Sequence, residues 1–191
     1  MSDNNIHFRN SYIMKKMNIL PAFCLMASFV IALPAFSQSK NNLTDPEVAA
    51  IAVTANEIDI SYAELAKTKS KDAEILKFAE TMAKDHKAVI DQAVALVTKL
   101  KVTPKVNSLS KQLQSDAEKT RKSLASKSGA EFDKAYIDNE VAYHKAVLGV
   151  LESRLIPESD NRELKDLLSN VLPAFKAHLA HAEMVQKNLT K

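Results

Sequence analysis

Residues 72–100 read DAEILKFAETMAKDHKAVIDQAVALVTKL, and their apolar spacing decides the fold. Ile75, Phe78, Met82, Val89, Ala93, Leu96 and Leu100 recur in steps of three and four, with one gap of seven. That spacing is an apolar stripe along one side of a helix. The spacing predicts a helix that starts near Asp72 and is ended by Pro104. The gap of seven between Met82 and Val89 is filled, in step, by His86.

The same period recurs on both sides. Upstream, Val48, Ile51, Ala55, Ile58, Tyr62 and Leu65 form a stripe, with Thr44 or Asp45 as cap and Pro46 at an early helical position. Downstream, Phe132, Ile137, Val141, Leu148, Leu151 and Leu155 form another, opened after Gly129 and closed at Pro157. A last stripe uses Leu164, Leu168, Val171, Phe175, Ala182, Val185 and Leu189, with a kink expected at Pro173. Residues 107–127 favour helix but offer only Leu109, Leu113 and Leu124 for burial, so they read as a peripheral helix within a long connection. Two helix pairs joined by short turns and linked by residues 102–129 predict an all-α fold. Its form is a ferritin-like up-down four-helix bundle with one long crossover carrying a short extra helix.

Composition agrees. The 191 residues include only 2 glycines and 6 prolines, too few turn-formers for a many-stranded β fold. Lys+Arg 26 against Asp+Glu 23 leaves a net charge of +3, which excludes a nucleic-acid partner bound by phosphate neutralisation. Lys15 and Lys16, an apolar run from Ile19 to Leu33, and the small residues Ala35 and Ser37 together have the pattern of a secretory signal peptide. The run is shorter than the roughly 20 residues of a membrane span. The chain therefore divides into residues 1–37, an N-terminal extension with a cleaved signal, and residues 38–191, a single helical domain. Met14 or Met17 is the expected true start. The mature chain would be exported to an oxidising envelope, with no transmembrane segment and no cysteine, because Cys24 leaves with the signal.

Three of the four histidines in the mature chain fall within the stripes. His86 lies between Met82 and Val89, His144 between Val141 and Leu148, and His178 between Phe175 and Ala182. Asp59 sits beside the stripe of the first helix. Each long helix thus directs one ligating side chain at or near the axis, and Asp59, His86, His144 and His178 are the candidate metal set for Fe, Cu, Zn or Mn. The competing expectation is that the imidazoles hydrogen-bond to Asp59, Tyr62, Tyr136 or Tyr143 and fix helix register. Straight-helix counting favours that competitor: His144 lies 14 residues before a turn near Glu158 and His178 20 after it, about 9 Å out of step. Glu140, one turn before His144, could join a site, but a surface position is the leading expectation for it, as for Thr54, Glu57 and Glu64. A di-iron carboxylate enzyme is disfavoured, because the residues three before His86, His144 and His178 are Ala83, Val141 and Phe175 rather than glutamate. No catalytic set is recognised.

Three blocks carry a resemblance: Phe78-Ala79-x-x-Met82-x-x-Asp85-His86, then Gly129-x-x-Phe132-Asp133-x-x-Tyr136 followed by Val141-x-x-His144, then Leu172-Pro173-x-x-x-x-His178-Leu179. Their order and spacing resemble the bacterial envelope family called domain of unknown function 4142. The resemblance implies a ferritin-like fold behind a signal peptide, in the periplasm or at the outer membrane. It implies that His86, His144 and His178 match recurrent histidines of the family, with Asp59 where a first-helix glutamate is expected and Glu140 where glutamine is common. The leading expectation is an exported, non-enzymatic binding or stress-related module, with an envelope protein as partner. The alternative is a ferritin-like metal-binding protein, redox-active through the interior histidines.

Overall fold

The helices begin and end where local chemistry predicts. In the computed structural model, which describes residues 42–189, α1 (Asp45–Lys69) opens at Thr44, whose N–H and hydroxyl both donate to the Glu47 carboxylate at 3.1 and 2.8 Å. α2 (Ala73–Leu100) opens at Asp72, which accepts from the N–H groups of Glu74 and Ile75 at 2.9 and 3.0 Å. It ends at Lys101, whose left-handed backbone (φ 53°) caps the helix three residues before Pro104. α3 (Ser108–Ala125) is capped by Asn107, accepting from Ser110 N–H at 3.0 Å. α4 (Gly129–Val150) starts at a glycine with φ +54°, a conformation that costs glycine little.

Pro157 does not close α4. The chain continues through a π-helical turn (Leu151–Leu155), closed by Ile156 N–H donating to the Leu151 carbonyl, into the three-residue α5 (Ile156–Glu158) that contains Pro157. α6 (Arg162–Leu189) runs unbroken through Pro173, with buried Val171 and Phe175 on either side holding it to the core. No strand occurs among the described residues, and no helix there is long and apolar enough to cross a membrane. The expected signal segment and Cys24 lie outside the described residues.

α1 packs on α2, α2 on α6, α6 on α4 and α4 on α1, and α3 lies chiefly against α1. At one end the Asp45 carboxylate accepts from the N–H groups of Asp160 and Asn161 at 2.9 and 3.0 Å, tying the start of α1 to the turn before α6. The core forms two apolar clusters. Tyr62, Ile75, Phe78, Met82, Phe132, Tyr136 and Val185 belong to one, and Val48, Ile51, Leu148, Leu155, Leu168 and Phe175 to the other. Along α2, α4 and α6 the buried His86, His144 and His178 fall between residues of these two sets. Phe78 is fully buried, with ring centroids 6.2 Å from Tyr136 and 5.1 Å from His181.

Truncating Phe78 to alanine should therefore cost about 3–5 kcal/mol in urea unfolding. Val94→Ala, at a position 51% exposed, should stay within about 0.5 kcal/mol of the parent. Equal losses at the two sites would contradict this core assignment.

Candidate metal centre

Four helices each deliver a ligating side chain to the layer between the apolar clusters. Asp59 and Glu140 are 0% exposed, His144 1%, His86 2% and His178 6%. His86 comes from α2 one turn after Met82, His144 from α4 one turn after Glu140, and His178 from α6 one turn after Phe175 and Ala174. Their ring centroids stand 5.6 Å (His86–His144), 5.2 Å (His86–His178) and 5.7 Å (His144–His178) apart.

Each imidazole has one nitrogen committed and one left over. Nδ1 of His86 meets the Asn56 Oδ1 at 2.8 Å, and the amide orientation is fixed because Asn56 Nδ2 donates to the Ala52 carbonyl at 2.8 Å. Nδ1 of His144 meets the Glu140 carbonyl at 3.0 Å, and Nε2 of His178 meets Asp85 Oδ2 at 3.1 Å. All three partners are acceptors, so these ring nitrogens carry the hydrogens. The lone pairs are then on Nε2 of His86, Nε2 of His144 and Nδ1 of His178, and none of the three has a hydrogen-bond partner. Both oxygens of Asp59 and both of Glu140 are likewise buried without a donor. Asp59 Oδ2 lies 3.5 Å from His86 Nε2 and 3.6 Å from His144 Nε2.

Burial sets the protonation states. It pushes His86 down to about 2, helped by the neighbouring His144 and His178. It pushes His144 down to about 4 against the hydrogen bond to the Glu140 backbone, with His178 adding to the fall. His178 is also lowered by burial, with Asp85 opposing. Asp59 is raised to about 8 by desolvation, and Glu140 well above its ordinary range by desolvation and then by Asp59. The layer therefore holds neutral imidazoles and protonated carboxyls at neutral pH when no cation compensates them.

Such a donor set fits a metal ion. Four ligands bonded at about 2.0–2.1 Å in a tetrahedron stand roughly 3.3 Å from one another, close to the Asp59–imidazole separations. One ligand atom from each of His86, His144 and His178 can be chosen with all three within 4.8 Å of one another, and the same holds for Asp59, Glu140 and His144. The Asn56, Glu140 and Asp85 acceptors are the outer contacts that fix tautomer and ring orientation around a metal. Two of the tyrosines expected as alternative partners bond elsewhere: Tyr143 Oη donates to the Ala55 carbonyl at 2.7 Å, and Tyr62 Oη to the Ala117 carbonyl at 3.5 Å, while the buried Tyr136 Oη has no hydrogen-bond partner.

The expected axial offset of His144 and His178 is not found. Helical structure persists through Glu158 and resumes at Arg162, so the turn is centred on Asp160. From there the two histidines are 16 and 18 residues away, about 3 Å out of step. Glu140 and Thr54, expected on the surface, are buried, whereas Glu57 and Glu64 are exposed as expected. Asn56 and Asp85 escaped the sequence reading. Asn56 stands one turn before Asp59, and Asp85 directly precedes His86, so a search for acceptors around each candidate ligand would have found both. His181 is half-buried against Phe78, outside the cluster.

The sequence model of a family described as "Domain of unknown function (DUF4142)" matches residues 32–185. No curated protein and no solved structure matches the chain.

The pKa directions give a stability profile for the metal-free protein. The folded state holds a proton on Asp59 between pH 3.8 and about 8 that the unfolded state releases, so this contribution is present at low pH and lost as pH rises. Glu140 has the same sign. The histidines act oppositely, their contribution being complete about one unit above 6.5 and lost as pH falls below it. From about pH 7.5 to 8.5 only the carboxyls of the layer change, so the melting temperature should fall across that range, and less steeply in Asp59→Asn. A parent profile that is flat there, or a slope unchanged in Asp59→Asn, would contradict the assignment.

Proposed function

We propose that this chain, which belongs to the family described as domain of unknown function DUF4142, is a ferritin-like metal-binding protein of the bacterial envelope. It would hold one first-row transition-metal ion among His86, His144, His178 and Asp59. The observation that carries this reading is a buried triad of imidazoles, His86, His144 and His178, two of which turn their free nitrogens to the buried Asp59 carboxylate, all without hydrogen-bond partners. An unpaired buried polar group costs roughly 2–7 kcal/mol, and four such groups gathered in one place call for a shared partner. A divalent cation satisfies all four and supports Asp59 in its ionised form.

The ferritin-like reading is supported by four long helices packed in a closed ring, with α3 carried in the connection between α2 and α4. Export is supported by Lys15 and Lys16, the apolar run from Ile19 to Leu33, and the small residues Ala35 and Ser37. Three nitrogens and one oxygen suit zinc, copper, iron or manganese. The bound ion would supply a fixed positive charge and, for iron, copper or manganese, a redox couple. The protein's part is rigid: ligands on four different helices, oriented by Asn56, the Glu140 carbonyl and Asp85.

Metal analysis of the mature protein, isolated from its native compartment and then titrated with Zn, Cu, Fe and Mn, tests the proposal. About one ion per chain is expected at neutral pH, abolished in the His86→Ala, His144→Ala double variant. Asp85→Asn should weaken binding 10–100-fold by loosening His178. Parent protein that retains and takes up none of these ions would overturn the reading.

A further inference from the structure

An apolar hollow adjoins the imidazole cluster, and its origin is legible in the chain. Ala49, Ala52 and Ala55 on α1 and Ala93 on α2 all line it, so small side chains meet where larger ones would interlock. The space left has a volume of about 40 Å³, walled otherwise by aliphatic side chains such as Leu168 and Val171. Half-buried Ile90, Val97 and Leu167 bring its wall to the protein surface.

Two residues belong both to this wall and to the cluster. Asn56 holds the His86 ring. Phe175, 4% exposed, has its ring centroid 5.0 Å from that of His86, 6.0 Å from His178 and 6.5 Å from His144. Phe175 is thus the partition between the hollow and the three imidazoles.

We propose that this hollow is a binding site and approach path for a small uncharged apolar molecule, of the size of dioxygen or nitric oxide, reaching the imidazole cluster past Phe175. The inference deepens the metal-centre reading by naming the class of molecule that reaches it, and its destination rests on that reading. An anion is disfavoured, because the wall offers nothing to replace its hydration. Water is disfavoured too: the Asn56 amide is already engaged on both sides, and a buried water needs two to four polar partners. Drug-sized ligands need several hundred Å³. Apolar cavities stay dry and take up xenon, as known for one of about 150 Å³, and this smaller hollow has the same aliphatic lining.

Xenon binding to the metal-free chain, followed by ¹²⁹Xe NMR, tests the hollow apart from any metal. Saturable xenon binding is expected in the parent and its loss in Ala93→Phe. Ala93→Leu, a milder filling, should weaken it and guards against a variant that fails to fold. The path is tested by nitric oxide association with the iron(II)-loaded protein. Ala93→Leu should slow it at least tenfold and Phe175→Ala should accelerate it, each with unchanged iron content. Absence of saturable xenon binding, or association rates equal in all three proteins, would overturn the proposal. A chain that takes up no iron would contradict the metal centre and, with it, the path to it, while the xenon result still decides the hollow.

Discussion

Three imidazoles and two carboxyls are buried in one layer with at least one nitrogen or oxygen of each left without a hydrogen-bond partner, and the rest of the structure is arranged around that confinement. Asp59 and Glu140 present four oxygens with no donor, and the histidines present three nitrogens in the same condition. Left alone, the layer lowers its cost by keeping the histidines neutral and the carboxyls protonated. A cation would resolve the same problem by charge. The two solutions demand opposite protonation of Asp59, so ion binding and proton release are linked.

The frame that holds this layer is stiff for ordinary reasons. Aliphatic and aromatic clusters close it above and below, and the ligands stand on helices rather than loops. The ring hydrogens are directed outward to Asn56, the Glu140 carbonyl and Asp85, which leaves the lone pairs facing inward. All three acceptors come from the helix that carries the imidazole or from one packed against it, so ring orientation is set locally once the helices pack. Membership of a family whose description assigns no function leaves this arrangement as the guide to what the chain does.

Much of this was legible in the chain. The stripe through Ile75, Phe78 and Met82 gives α2, and the placement of His86, His144 and His178 within such stripes gives their burial, because periodicity reports directly on which side of a helix faces inward. What failed was position along the axis. Pro157 suggested an earlier turn, and the π-helical turn at Leu151–Leu155 left no sequence signal strong enough to correct it. Glu140 was misplaced for a different reason: acids on helices are ordinarily solvated, and only the packing of neighbouring helices against α4, which brings Asp59 of α1 beside it, buries this one. Asn56 and Asp85 went unread because outer contacts follow from three-dimensional neighbours rather than from spacing.

X-ray absorption spectroscopy at the metal edge of the loaded mature protein addresses the central claim most directly. The account predicts a first shell of three imidazole nitrogens and one carboxylate oxygen at about 2.0–2.2 Å, with multiple scattering from the rings. A shell of oxygens without imidazole scattering would place the ion elsewhere and contradict it.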